Sequence, residues 1–170
     1  SLVRGLSPED SVCVVAFSDQ ARVVLSRTQA READRILDAL DGLEAGGGTN
    51  LEAGLALGYR LADEAYSPEA VNRLILLSDG VANVGAKGPE ELLKLVQVFA
   101  SRGIDLAAIG VGRGRYNDPL MQRLADSANG SCHFVDAASE AERVFQQQVP
   151  PHLSVLARDA KAQVDFNPDI

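Results

Sequence analysis

The apolar positions of this chain fall into short unbroken runs and longer stretches with helical spacing, and the two kinds alternate. Val12-Cys13-Val14-Val15-Ala16-Phe17 reads as a strand, and Ala21-Arg22-Val23-Val24-Leu25 as its partner. The brief Ser18-Asp19-Gln20 link makes the pair an antiparallel hairpin. A helix is predicted over 30–41, with Ala33, Ile36, Leu37 and Leu40 on one face and Gly42 as its stop. A second is predicted over 51–65, where Leu51, Gly54, Leu55, Gly58, Leu61, Ala62 and Ala65 share a face. Glycine on an apolar helix face weakens the helix, so Gly54 and Gly58 predict close approach to a sheet.

Residues 73–78 form the next apolar run, followed by a helix over 89–102 that starts on Pro89 and ends at Gly103. Its inward positions are Leu92, Leu95, Val96 and Phe99. A buried strand over 104–109 follows. Asp118 and Pro119 then open a helix carrying Leu120, Leu124 and Ala128, which Gly130 stops. A short strand over 132–135 and a helix to residue 148, opened by a Ser139/Glu142 capping box, complete the series.

Strand–helix alternation of this kind implies an α/β fold: a Rossmann-like, doubly wound, mostly parallel sheet with the hairpin as an antiparallel edge. The expected domain covers 1–149. Pro150-Pro151 closes it, and 150–170 reads as a linker and the start of a further segment, because Ala162, Val164 and Phe166 alternate with polar residues.

With 170 residues, 46% of them hydrophobic, one well-cored domain is expected. The net charge of −8 argues against nucleic acid as a partner. No apolar run reaches membrane-spanning length. Cys13 and Cys132 sit in separate apolar strands and read as buried small hydrophobes. The only methionine is Met121, so Ser1 reads as the start of a processed or excised piece.

Candidate chemistry gathers at two loops. The strand Leu74-Ile75-Leu76-Leu77 ends in Ser78-Asp79-Gly80, delivering a carboxylate to its carboxyl end. Gly46-Gly47-Gly48-Thr49-Asn50 supplies a hydroxyl at the mouth of a helix. Together Thr49 and Asp79 suggest an oxygen-ligand site for a hard cation. Taken singly, Thr49 is an ordinary helix N-cap and Ser78-Asp79-Gly80 an ordinary turn. The stretch from Gly42 to Thr49 has the glycine spacing of a phosphate-binding loop, but Gly48 stands where the lysine belongs and a helix precedes it. Gly110, Gly112 and Gly114 fail as a dinucleotide fingerprint because Arg115 takes the last glycine position. His133 and His152 have no metal-ligand spacing and read as structural.

Thr49 after a glycine-rich loop, Ser78-Asp79-Gly80 after an apolar strand, and Phe17-Ser18-Asp19 at the end of the first hairpin strand, in that element order, resemble von Willebrand factor type A domains. In that family the sheet order is 3-2-1-4-5-6, and a metal-ion-dependent adhesion site crowns the carboxyl edge. The resemblance implies that Thr49 and Asp79 are two ligand positions for Mg²⁺, and that a partner protein's Asp or Glu completes the shell. It also implies a binding module, not an enzyme, with specificity in the loops around Ser18, Ala82 to Lys87 and Arg113 to Asn117. The family's Asp-x-Ser-x-Ser motif, which follows the first, central strand, does not occur here. The chain reads as starting where the next helix would end, so Mg²⁺ should be held weakly or not at all. The empty strand position is expected to be filled by upstream residues or by the tail strand near Val164. The segment from Asp159 to Pro168 is similar to the tail of bacterial A-domain proteins of the cell envelope, although the compartment itself stays open.

Two other readings use the same residues. One is a metal-dependent phosphoryl hydrolase with Asp79 as nucleophile and Arg113 and Arg115 as its clamp, which needs a second carboxylate nearby. The other is a structural domain whose metal site has decayed.

Overall fold

The computed structural model describes residues 2–44, 46–78, 88–112, 119–135 and 143–144. The elements run β1 (Ser11–Phe17), β2 (Ala21–Gln29), α1 (Ala33–Asp41), α2 (Leu51–Glu64), β3 (Asn72–Ser78), α3 (Pro89–Ala100), β4 (Ile104–Val111), α4 (Pro119–Asp126) and β5 (Ser131–Val135). The α/β class and the element order are as the sequence implies. The final helix and the tail strand lie outside the described residues, except Arg143 and Val144, and so does the expected boundary after residue 149.

Strands β3, β4 and β5 form a parallel sheet in that order, with Leu74 opposite Leu106 and Ile109 opposite His133. Strands β1 and β2 form a separate antiparallel pair, with Val15 opposite Val23. The hairpin is therefore not hydrogen-bonded to the parallel sheet, and among the described residues no strand lies between β1 and β3. Neither expected source of a central strand, upstream residues or the stretch near Val164, falls within them.

Helix α2 joins the two sheets. A Cβ on Gly54 would sit 2.7 Å from the Phe17 ring on β1, and one on Gly58 2.7 Å from Leu74 Cδ1 on β3. The two glycines let one helix lie against both strands, as their place on its apolar face predicts.

Side chains alternate across a strand, which divides the parallel sheet into two faces. Leu74, Leu76, Leu106, Ala108 and Cys132 face a core built with Leu51, Leu55 and Tyr59 of α2, Leu92 and Val96 of α3, and Met121 and Leu124 of α4. On the other face Ile75, Ile109 and Val135 meet Val144. Within α1, which packs on β2, Ile36 is fully buried but Leu40, expected inward, is exposed. Residues 30–32, expected as its first turn, form a 3-10 turn instead. Cys13 and Cys132 are half-buried and not bridged, in line with the hydrophobe reading.

Tyr59 is fully buried, stacked on Phe99 with ring centroids 4.7 Å apart, and its hydroxyl has no hydrogen-bond partner among the described residues. Burial, with Asp105 adding to it, raises its pKa. A raised pKa favours the neutral form in the fold, so this contribution is complete below about pH 10 and is lost as pH rises beyond it. Tyr59→Phe keeps the stacking and removes an unmet polar group. It is expected to raise stability by about 1 kcal/mol at pH 7 and to flatten the alkaline fall, measured by urea unfolding at pH 7 and above pH 10.

Candidate functional site

The connection from α2 to β3 spans only residues 65–71, and the two elements pack on each other, so they run antiparallel. The amino end of α2 therefore lies at the carboxyl end of β3. Its contact with Phe17, the last residue of β1, places it at the carboxyl end of β1 as well. The backbone fixes this second junction directly, because the Asn50 N–H donates to the Ser18 carbonyl at 2.7 Å. One edge of the molecule thus holds the end of β1, the glycine loop with Thr49, and Ser78 at the end of β3.

Thr49 is half-buried there. It is not the N-cap of α2: that role belongs to Asn50, whose Oδ1 accepts from the Ala53 N–H at 3.0 Å. The simplest structural explanation of the threonine is thereby set aside, and its hydroxyl stays out of the cap. Ser78 is buried on β3. Asp79 itself lies outside the described residues, as do the loops from Ala82 to Lys87 and from Arg113 to Asn117.

The glycine loop is bound to the hairpin turn by a residue whose role the sequence did not reveal. Asp19 Oδ1 accepts the Gly48 N–H at 3.1 Å, and the Asp19 carbonyl accepts from Asn50 Nδ2 at 3.2 Å. Gly47 has φ +81°, a region that disfavours other residues. A Cβ on Gly48 would come within 2.6 Å of Asp19 Oδ1. Gly47 is favoured by the left-handed backbone, and a Cβ on Gly48 would displace the Asp19 carboxylate. Only Phe17-Ser18-Asp19 as a motif hinted at this, since the pairing spans 29 positions between Asp19 and Gly48.

The hydroxyl of Thr49 and the carboxylate of Asp79 are hard oxygen donors, which suits a magnesium-like ion in kind, although two donors are a partial set for an octahedral shell. Among the described residues, no three or more His, Cys, Asp or Glu side chains gather as a metal site. His133 is engaged with the Ser131 hydroxyl at 3.1 Å on its own strand, as a structural histidine would be. His152 lies outside the described residues. An open cleft of about 460 Å³ runs beside the loop from Asp19 and Asn50 along α2 to Arg60, and Thr49 does not line it.

An α/β domain with a hydroxyl at the helix mouth of its carboxyl edge, next to a strand that ends at Ser78 and is followed in sequence by Asp79-Gly80, belongs to the doubly wound class, whose carboxyl edge is the usual place for a ligand. Comparison with known proteins makes that class specific. The family model for the von Willebrand factor type A domain matches residues 1–148, and the chain belongs to that family. It is 35% identical over 167 residues to the uncharacterized protein YfbK of Escherichia coli, covering 98% of this chain and 29% of that protein. It is 31% identical over 146 residues to the uncharacterized protein sll0103 of Synechocystis, covering 86% of this chain and 34% of that protein. The chain thus spans about a third or less of the length of these curated relatives. Among solved structures, BatB of Bacteroides thetaiotaomicron superposes with a TM-score of 0.68 at 19% identity, over 88% of this chain and 82% of that one. Proximal thread matrix protein 1 of the mussel byssus, with a zinc-occupied MIDAS motif, gives 0.68 at 23% identity, over 89% and 38%. At these identities the two structures speak for the fold alone. Domains of this family typically serve adhesion and protein–protein interaction and are generally non-enzymatic. They bind a divalent metal at the adhesion-site motif.

Proposed function

We propose that this domain is an interaction module in which Thr49 and Asp79 hold part of the shell of a Mg²⁺ ion, and a partner protein's Asp or Glu carboxylate takes an open position. The observation that carries the reading is the convergence at one edge: Asn50, not Thr49, caps α2, and the helix mouth lies at the carboxyl end of the strand leading to Asp79. The bound ion's contribution is an electrostatic anchor for an anionic group. The chain's own contribution is to hold the Thr49 hydroxyl at the edge where the strand leading to Asp79 ends. Binding of an Asp- or Glu-bearing ligand by the full-length protein is expected to require Mg²⁺ and to be lost with EDTA. Metal-independent binding that survives Asp79→Ala would sink the proposal.

The phosphoryl hydrolase reading requires a second carboxylate beside Asp79, and the one the structure brings near Thr49, Asp19, accepts the Gly48 N–H at 3.1 Å. Phosphatase activity abolished by Asp79→Asn would favour it instead.

A further inference from the structure

We infer that Asp19 is a positioning residue for Thr49: its carboxylate accepts the Gly48 N–H and holds the glycine loop in the form that presents the hydroxyl. The inference rests on the reading of Thr49 as a metal ligand. Three successive glycines give the chain from Gly46 to Gly48 wide conformational freedom, and that freedom must be removed before Thr49 has a defined place. Asp19 removes it at two points. Its side chain accepts the Gly48 N–H, a charge-assisted bond, and its carbonyl accepts from the Asn50 amide, which in turn caps α2. Thr49 lies between the two tethered residues, so its backbone is held from both sides.

The close approaches point the same way. The carboxylate fills the space of an absent side chain, 2.6 Å from a Cβ on Gly48 and 3.1 Å from one on Gly47. A glycine-rich loop with inward N–H groups is a general anion cradle. Here a single N–H, that of Gly48, is shown meeting a carboxylate, and the carboxylate is the chain's own Asp19. The carboxylate comes from the hairpin turn, so the end of β1 and the mouth of α2 are one unit.

The test follows individual amides of the full chain by ¹H–¹⁵N NMR. In Asp19→Ala the Gly48 amide is expected to exchange with solvent roughly tenfold faster or more, and the Thr49 and Asn50 resonances to broaden or shift, while amides of β4 keep their protection. Asp19→Asn retains an acceptor oxygen and should stay within about threefold of the native rate, a rescue that lost surface charge alone would not give. Gly48→Ala should also speed exchange, yet add nothing in the Asp19→Ala background, where the space is vacant. An unchanged Gly48 rate in Asp19→Ala, or an Asn variant as fast as the Ala variant, would overturn the inference. A parallel Mg²⁺ titration separates the two ideas. If Mg²⁺ leaves Thr49 unperturbed in the native full-length protein, the metal reading fails, whereas the amide rates still decide the role of Asp19.

Discussion

Gly130→Ala is expected to destabilise this domain by about 4 kcal/mol or more, enough to leave much of the protein unfolded at 37 °C. A Cβ at that position would overlap the Leu106 carbonyl oxygen and sit 2.6 Å from its carbon. Both are backbone atoms of β4, the middle strand of the parallel sheet, fully buried around Leu106. No rotamer change can relieve such a clash. Either β4 moves, disturbing its pairing with β3 and β5 together, or the chain entering β5 moves away. The second route breaks the cap of α4, in which Asn129 at φ 52° is followed by Gly130 donating its N–H to the Ala125 carbonyl. Gly46→Ala supplies the contrast, because a Cβ there meets nothing within 4 Å, and it should change stability by less than about 0.5 kcal/mol. Urea denaturation of the two variants beside the native chain checks both, and a Gly130→Ala midpoint near that of Gly46→Ala would contradict the packing argument.

Gly130 also shows which parts of the fold can be read from sequence. Its role as a helix stop follows from local spacing, but its contact with Leu106 is non-local and leaves no trace in the chain around it. The helices and strands were legible for the same reason: Pro89, Gly103 and the periodic leucines act within their own segments. Gly54 and Gly58 went one step further, since glycine on an apolar face has few uses other than close approach. What escaped was how the face is filled. Tyr59 and Met121 are buried in the core while Leu40 is exposed, because burial is set by neighbours distant in sequence. The separation of the hairpin from the parallel sheet was implied only by the missing family motif. Thr49 was singled out by its place after the glycines, whereas Asp19 was not, since its partners lie across a whole helix from it. The acceptor it provides is visible only once the turn and loop are brought together.

In a protein that carries the Asp-x-Ser-x-Ser segment as well as this domain, Asp79→Ala is expected to weaken Mg²⁺ binding by about 100-fold or more, and carboxylate-dependent partner binding with it. The reasoning starts from the ion. Mg²⁺ gives up its water reluctantly and requires near-octahedral oxygen donors, so each direct or water-bridged protein ligand matters. Loss even of a residue that merely orients a ligand typically lowers metal affinity 10–100-fold, and removing the carboxylate takes away charge as well as a donor. Thr49→Ala should cost less, since a hydroxyl is neutral, and Thr49→Ser should recover most of the loss by restoring the oxygen. The chain of 170 residues alone, with Thr49 and Asp79 as its proposed share of the donors and no Asp-x-Ser-x-Ser, should bind Mg²⁺ only weakly, and Asp79→Ala should change little there. Isothermal titration of both forms separates the outcomes. Tight binding by this chain alone, abolished by Asp79→Ala, would mean that these loops hold a complete site and that the ligand set proposed for the edge is wrong. Equal affinities of native and Asp79→Ala forms in the longer protein would remove Asp79 from the metal shell altogether, leaving Thr49 and the Asp19-held loop as a structural corner of the fold.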